Sequence, residues 1–170
     1  MWFSSQPFGS GYTVLDKKIK EIENNYDFII IDNAPALGSF MYNSIIATDY
    51  TVVVVEGSTF SAKGLRVVID LLENFKETTN NDLVGIVINK MNNYIVRKDT
   101  AKWFREEYNT KDGKLIFDTS ISQLVVIEEA AAFQQSIFEY TSKNEGTNPK
   151  AKEEFEAFTD ELLDRLNFKP

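Results

Sequence analysis

The chain has 170 residues, of which 43% are hydrophobic and 26% charged, a composition typical of a single soluble globular domain. Its 26 acidic and 18 basic residues give a formal net charge of −8, which argues against broad, non-specific binding of nucleic-acid backbones. Because cysteine and histidine are both absent, disulfides, thiolate zinc sites, thiol nucleophiles and Ser-His-Asp triads are excluded. Any chemistry must use carboxylates, lysines, hydroxyls, amides, the backbone or a bound ion.

The sequence predicts no contact with a membrane. No apolar run reaches the roughly 18 residues that a spanning helix needs. The first residues, MWFSSQPFGSGYT, lack the basic-then-apolar order of a signal peptide. We therefore expect a cytoplasmic protein.

The predicted elements alternate between helices and short apolar strands. Residues 1–13, rich in Ser and Gly, are predicted to form an irregular N-terminal segment, and residues 14–170 a single α/β domain. Four β-branched or apolar runs predict buried strands: FIII (28–31), TVVVV (51–55), LVGIVI (83–88) and LIF (115–117). Helical patterns cover residues 14–25, 39–47, 60–75, 96–108 and 149–166. This alternation predicts a mostly parallel sheet with helices on both faces.

One stretch, LVVIEEAAAF (124–133), fits either the end of a strand or one short helix. The Glu-Glu-Ala-Ala-Ala run within it favours the helix, because these residues have high helix propensity.

Ligands of such folds bind at the carboxyl ends of the strands, which selects the polar residues that follow each run. Asp32 follows FIII directly, and a carboxylate there can hold the water shell of a Mg²⁺ ion. The alternative is that Asp32 caps the following helix or orders the turn before Pro35. The motif alone does not decide between these interpretations.

Asn89 and Lys90 follow the third run. An Asn amide can read a base edge, and a Lys stem can cover an aromatic ring. The alternative, which the pair alone favours, is a polar turn that ends a buried strand. The stretch GSGYT (9–13) is rejected as a phosphate loop, because no lysine follows its glycines and no strand precedes them.

The order of these segments resembles the second half of the ParA-type partition ATPases, within the ParA/MinD group of P-loop proteins. The resemblance extends from YDFIIIDNAPALG through NDLVGIVINKMNN and IFDTSISQLVVIEEAAAFQQ to NPKAKEEFEAFTDELL. It implies a doubly wound α/β fold, ATP and Mg²⁺ as cofactors, ATP-dependent dimerisation, a ParB-like partner and a role in segregating plasmids or chromosomes. Asp32 then matches the Walker B-like aspartate on the magnesium side, and Asn89 and Lys90 match residues on the adenine side.

The family's deviant Walker A loop, with its two lysines and its glycines, has no counterpart in these 170 residues. No residue is therefore assigned a catalytic role, and we expect that the chain alone does not bind or hydrolyse ATP. Three interpretations follow: a truncated family member, a non-catalytic interaction or regulatory module, or one half of a split ATPase completed by another chain.

Two further expectations come from the comparison with this family. Gln123, Val126 and Gln135 stand where relatives often carry Arg or Lys, and Glu128 and Glu129 lie among them, so DNA binding is expected to be weak or absent. The strand that normally pairs with FIII would be missing, and an unpaired strand edge favours self-association. We therefore expect a homo-oligomer.

Overall fold

The computed structural model describes residues 10–34, 36, 38–110, 113–141 and 149–168. Short 3₁₀ helices cover Ser10–Thr13 and Glu23–Asn25. The α-helices are α1 (Val14–Ile19), α2 (Ser39–Ala47), α3 (Thr59–Phe75), α4 (Ile95–Tyr108), α5 (Val125–Ala132) and α6 (Pro149–Arg165). The strands are β1 (Tyr50–Glu56), β2 (Asp82–Met91), β3 (Asn109–Thr110), β4 (Gly113–Lys114) and β5 (Ile116–Ser122).

The central sheet has the strand order β1-β2-β5. Strand β2 pairs in parallel with β5, and the register places Ile86 opposite Ile116 and Ile88 opposite Ser120. Ile86, Val87 and Ile88 are at most 4% exposed, as expected for a central parallel strand that is covered on both faces. The fold is thus the predicted α/β class, a mostly parallel sheet with helices on both faces.

Helix α6 covers one face of the sheet. Phe155, Phe158 and Leu162 pack against a buried cluster of Val87, Phe117 and Ile121. The Arg165 guanidinium lies 3.9 Å from the centre of the Phe117 ring. It also donates hydrogen bonds to the carbonyl groups of Val84, Lys114, Leu115 and Ile116. The Arg165 guanidinium therefore joins the end of α6 to two neighbouring segments, one at Val84 and one at residues 114–116.

Glu161, one turn before Arg165, completes this contact. Its carboxylate accepts the backbone N–H groups of Asp118 and Thr119, both at 2.9 Å, and a hydrogen bond from Arg165. Partial burial raises the pKa of Glu161, but these hydrogen bonds outweigh it, and the net pKa lies below its ordinary value. Glu161 therefore stays ionised and anchors α6 to β5 near neutral pH.

The prediction of a buried strand at residues 28–31 is wrong. The segment is extended at Tyr26, but residues 28–31 are not in a strand, and Ile30 is 91% exposed. Strand formation depends on backbone hydrogen bonds to a neighbouring strand as well as on β-propensity. The composition of the apolar run FIII therefore does not by itself make it a strand.

Most other elements agree with the sequence patterns. The ambiguous stretch 124–133 is the favoured helix, α5, and β5 begins one residue after the predicted start and runs to Ser122. The first predicted helix is shorter than its pattern, ending at Ile19 before a turn and a second 3₁₀ helix. Of the predicted N-terminal segment 1–13, residues 1–9 lie outside the described residues, and residues 10–13 are helical.

The chain divides into two compact units, which are described separately below. The first comprises Met1–Thr51 and Val68–Leu83, and the second comprises Val52–Val67 and Val84–Pro170. In the first unit the Tyr42 ring stacks on Phe75 and meets Tyr12 edge to face. The buried Asn81 amide donates to Thr48 and accepts from Thr51, which fixes the chain where it enters β1.

Gly85 offers a direct test of this packing. A Cβ at Gly85 would lie 2.6 Å from Cε2 of Phe117 and 2.9 Å from the Leu115 carbonyl oxygen. We predict that Gly85→Ala lowers the free energy of unfolding by about 1–3 kcal/mol, because the buried strand cannot move aside. Urea denaturation followed by circular dichroism measures this change.

Gly64, inside α3, is the matched control. A Cβ there meets nothing within 4 Å. Gly64→Ala should therefore raise stability by about 0.5–1 kcal/mol through helix propensity. Equal effects of the two substitutions would contradict the described packing around Gly85.

Candidate functional site

Asp32 lies on the exposed stretch between Tyr26 and α2, in the first unit. Its neighbour Asn33 accepts a 2.6 Å hydrogen bond from the Ser44 hydroxyl, which ties this stretch to α2. Helix α2 begins at Ser39 with Gly38 at its N-cap position and no side-chain capping bond. Asp32 therefore does not cap this helix, and its exposed carboxylate can still serve as a ligand.

Among the described residues, no group of three or more acidic side chains is placed to hold a metal ion. This finding leaves the magnesium role of Asp32 as a prediction, because Mg²⁺ commonly keeps most of its water ligands and takes only one or two carboxylates from a protein.

The described part of the stretch GSGYT, residues 10–13, does not form a phosphate cradle. Residues 10–13 make a 3₁₀ helix, and the Gly11 carbonyl accepts a 3.0 Å hydrogen bond from the Asn43 side chain on α2. A phosphate loop turns its backbone N–H groups toward the ligand, whereas this turn uses its backbone to dock against a helix. The structure thus agrees with the rejection of this stretch.

Asn89 and Lys90 lie at the carboxyl end of β2, in the second unit. Lys90 has φ = 53°, in the left-handed region, and its backbone N–H donates to Oδ1 of Asn89 at 2.8 Å. A non-glycine residue in this conformation carries a strain of about 1–3 kcal/mol, which surrounding contacts must offset. The end of β2 is therefore irregular at Lys90, where the register with β5 shifts between Ile88 and Met91.

Glu56 and Arg97 supply those contacts. The Lys90 ammonium pairs with Glu56 at 2.8 Å, and Arg97 donates a 2.6 Å hydrogen bond to the Lys90 carbonyl. Arg97 also lies 3.8 Å from the Glu56 carboxylate. Every polar group of Lys90 thus has a partner, and the ends of β1 and β2 are joined to the start of α4.

The sequence patterns identified part of this cluster. The rule that ligands bind at the carboxyl ends of strands selects Glu56, Asn89 and Lys90, whereas Arg97 lies one turn into α4 and follows no strand. Tyr94, Ile95 and Val96, which precede Arg97, are apolar and exposed. Only the three-dimensional contact between Arg97 and the Lys90 carbonyl reveals its role.

A pair of neutral amide side chains lies just beyond the carboxyl ends of β2 and β5. Asn92 donates a 3.0 Å hydrogen bond to the Gln123 side chain, and the Gln123 backbone N–H donates to the Met91 carbonyl at 2.7 Å. Val126 is 2% exposed and belongs to the core between α5 and α6. Gln123 and Val126 therefore contribute internal contacts.

The structure brings Asn89 and Lys90 together with Glu56 and Arg97 in the second unit. Asp32 belongs to the first unit. The second-unit cluster has two cations and one carboxylate, and it offers amide N–H donors beside a positively charged edge. Such a set suits a polar ligand with acceptor atoms.

The ionisation of Glu56 reports on this cluster. The hydrogen bond from Lys90 lowers the Glu56 pKa below its ordinary value of 4.5, against a small opposing effect of burial. A carboxyl group with a lowered pKa in the folded state stabilises the fold above its unfolded pKa, and this contribution disappears as the pH falls through the folded pKa. The Glu56 side chain is 43% exposed, so the effect on stability is small.

We predict that Lys90→Met raises the Glu56 pKa toward its ordinary value. Titration of the Glu56 side-chain carbon by NMR measures this shift. Lys98→Met, which removes an exposed cation of α4 not paired with Glu56, is the control and should leave the midpoint in place. An unchanged midpoint in Lys90→Met would mean that the ion pair does not persist in solution.

Comparison with known proteins places these features in context. The AAA domain family model matches residues 6–85. The chain is 30% identical over 126 residues to the uncharacterized protein MJECL24 of Methanocaldococcus jannaschii, covering 74% of this chain and 49% of that protein. It is 26% identical over 139 residues to the chromosome-partitioning ATPase Soj of Treponema pallidum, covering 81% and 54%.

Among solved structures, the Cyanothece McdA–ATP complex matches with a TM-score of 0.73 and 15% identity, covering 95% of this chain and 60% of that one. Other relatives carry the names ParA family protein and Soj. The chain spans about half the length of the curated relatives that it matches. The chain is therefore similar over about half their length to proteins named ParA and Soj, and it shares the α/β fold of the McdA structure.

Proposed function

We propose that this chain is the part of a ParA-type partition protein that carries the magnesium-side and adenine-side residues, and that it acts in segregating or positioning plasmids or chromosomes. The names of the relatives and the shared fold support this proposal. The observation that carries it is the pair Asn89-Lys90 near the carboxyl end of the central strand β2, where Lys90 has a strained, left-handed backbone conformation. Strain of this kind is characteristic of ligand sites.

The proposed roles follow from the chemistry of each group. The exposed Asp32 carboxylate fits one oxygen ligand in the shell of a Mg²⁺ ion. Asn89 uses its carbonyl oxygen to hold Lys90, and its amide N–H groups can still donate to an acceptor on a base edge. Glu56 holds the Lys90 side chain, so the stem of Lys90 is positioned to lie against a base.

The residues of this chain are less suited to binding the triphosphate of a nucleotide than to binding its base or a metal ion. Binding it requires a run of backbone N–H groups with a lysine, and these 170 residues contain no glycine-rich, lysine-bearing loop after a strand. We therefore propose that the chain by itself does not bind or hydrolyse ATP. Nucleotide binding would need the phosphate loop to come from additional polypeptide.

Two other interpretations remain part of the proposal. The chain could act as a regulatory module that binds a partner of ParB type without chemistry. It could also be one half of a split ATPase, in which a second polypeptide supplies the phosphate loop. The acidic composition and the exposed apolar residues suit an interacting protein in either case.

Calorimetric titration with Mg-ATP tests the proposal. We predict that the 170-residue chain binds Mg-ATP more weakly than about 1 mM, because no cradle for the phosphates is present. Micromolar affinity would contradict this and would indicate an unrecognised phosphate site.

The same titration, repeated with candidate partner polypeptides that carry a phosphate loop, separates the interpretations. Restored binding that is lost in Asp32→Asn, but kept in Asp118→Asn, would favour the split ATPase. No restoration by any such polypeptide would favour the regulatory module.

We also propose that the chain binds DNA weakly. Glu128 is exposed on α5, and Val126 is buried, so the first turn of this helix presents no cation to a phosphate backbone. A mobility-shift series between low and physiological salt should show little retention of duplex DNA. Tight binding with a steep salt dependence would reveal a basic surface and would contradict this prediction.

A further inference from the structure

Strand β5 ends the three-stranded sheet in the part of the chain that the structure describes, because β2 is its neighbour on one side only. An edge strand of this kind offers outward backbone N–H and C=O groups to any extended segment that approaches it. Native proteins often protect such edges with lysine or proline, but the sequence of β5, IFDTSIS, contains neither. Protection of this edge therefore depends on features other than these two residue types.

A bulge in β5 turns two consecutive backbone N–H groups toward helix α6. Between two register positions the pairing advances two residues along β2 but four along β5, from Ile116 to Ser120. The extra residues of a bulge are left out of the ladder, so their N–H groups need another acceptor. The N–H groups of Asp118 and Thr119, inside this bulge, both donate to the Glu161 carboxylate at 2.9 Å.

A second carboxylate of α6 covers the end of β5. Glu154 accepts the Ser122 backbone N–H at 2.7 Å and the Ser122 hydroxyl at 2.6 Å. The Glu154 and Glu161 side chains are 19% and 20% exposed, so these hydrogen bonds are partly shielded from water. Because hydrogen bonds to an ionised acceptor are roughly twice as strong as neutral ones, a carboxylate can replace the carbonyl group of a neighbouring strand.

The spacing of the two carboxylates matches the spacing of their partners on β5. Glu154 and Glu161 are seven residues apart, which is two helical turns and about 10 Å along α6. Thr119 and Ser122 are three residues apart, which is also about 10 Å along a strand. Since Glu154 meets the later strand residue, α6 runs antiparallel to β5 with its acceptors in step with the strand.

Arg165 supplies hydrogen-bond donors near the start of β5. Its guanidinium donates to the carbonyl groups of Lys114, Leu115 and Ile116 at distances of 3.0, 3.2 and 3.0 Å. The Asn109 side chain adds an acceptor there, because it takes the Ile116 N–H at 2.7 Å. A neighbouring strand would offer both donors and acceptors, and these side chains together offer the same two kinds of group.

We propose that α6 is a strap that closes this edge of the sheet: its side chains occupy the hydrogen-bonding positions of β5 that an added strand from another polypeptide would need. The contact is autoinhibitory toward strand addition, and it holds while Glu154 and Glu161 stay in place. All of these residues belong to the second unit, and the inference does not depend on the proposed nucleotide chemistry. Any polypeptide that extends this sheet is then excluded from the β5 side.

Glu161→Gln removes the central contact of the strap with little change in shape. Arg165 and the Asp118 N–H donate to one Glu161 oxygen, and the Thr119 N–H donates to the other. A glutamine that keeps the first two bonds therefore turns its NH₂ group against the Thr119 N–H.

Amide hydrogen exchange measures this loss. The exchange rate of the Thr119 amide, divided by that of the Ile86 amide in β2, should rise at least about tenfold in Glu161→Gln. The ratio cancels any change in global stability, because both amides exchange through global unfolding. Glu153→Gln, which neutralises an exposed carboxylate of the same helix, is the control and should leave the ratio unchanged.

Thioflavin T fluorescence during incubation of the purified chain tests whether the strap blocks strand addition. Glu161→Gln should form thioflavin-positive assemblies at least about tenfold faster than the unmodified chain, because an opened edge pairs with other strands. Glu154→Gln loses a different contact of the strap and should act in the same direction. Ile86→Val, which removes one buried carbon and keeps both carboxylates, controls for lost stability when all variants are compared at equal folded fraction.

Thr119→Lys, added to Glu161→Gln, tests where the strands pair. A lysine on an edge strand opposes pairing, so the double variant should assemble within about twofold of the unmodified rate. A general charge effect would act in the opposite direction, because both substitutions make the chain less negative. An unchanged exchange ratio in Glu161→Gln, equal assembly rates for Glu161→Gln and Ile86→Val, or no slowing by Thr119→Lys would each overturn the proposal.

Discussion

The hydrogen-bonding demand of an extended backbone is the constraint on which this structure depends. Each strand of the central sheet is satisfied by a neighbour, and β2 is satisfied on both sides because β1 and β5 flank it. Residues 28–31 have the same β-branched, apolar character, but they are not in a strand. Ile30 is 91% exposed, and Asp32 likewise lies outside any strand of the described residues.

The same constraint bears on the proposed site. A carboxylate delivered by a paired strand is held at the rim of a sheet, whereas Asp32 lies on a stretch that is tied down through Asn33 and Ser44. Asn89 and Lys90, in contrast, lie near the carboxyl end of β2, and Lys90 is held by Glu56 and Arg97. The proposed adenine-side residues are therefore preorganised by contacts within their own unit, whereas the proposed magnesium ligand lies on a stretch outside any strand.

The sequence predicted most of the fold because its signals are local. The runs around Val52 and Ile86, and the apolar faces of α3 and α6, depend on periodicity and propensity that neighbouring residues determine. Residues 28–31 were predicted as a strand from their composition, and a local pattern does not specify which segments pair. Within the site, Glu56, Asn89 and Lys90 were selected by the rule for strand ends, and Arg97 was missed because it acts from a helix across a turn. The left-handed conformation of Lys90 was equally invisible, since lysine gives no signal for it.

Amide hydrogen exchange tests the central claim that Ile30 and Ile31 lie outside the sheet whose central strand is β2. The Ile86 amide donates to the Leu115 carbonyl at 2.8 Å and is an internal reference for a paired strand. The account predicts that the amides of Ile30 and Ile31 exchange at least about 1,000-fold faster than that of Ile86. Protection of Ile30 and Ile31 equal to that of Ile86 would show that the segment is paired within the chain and would contradict the account.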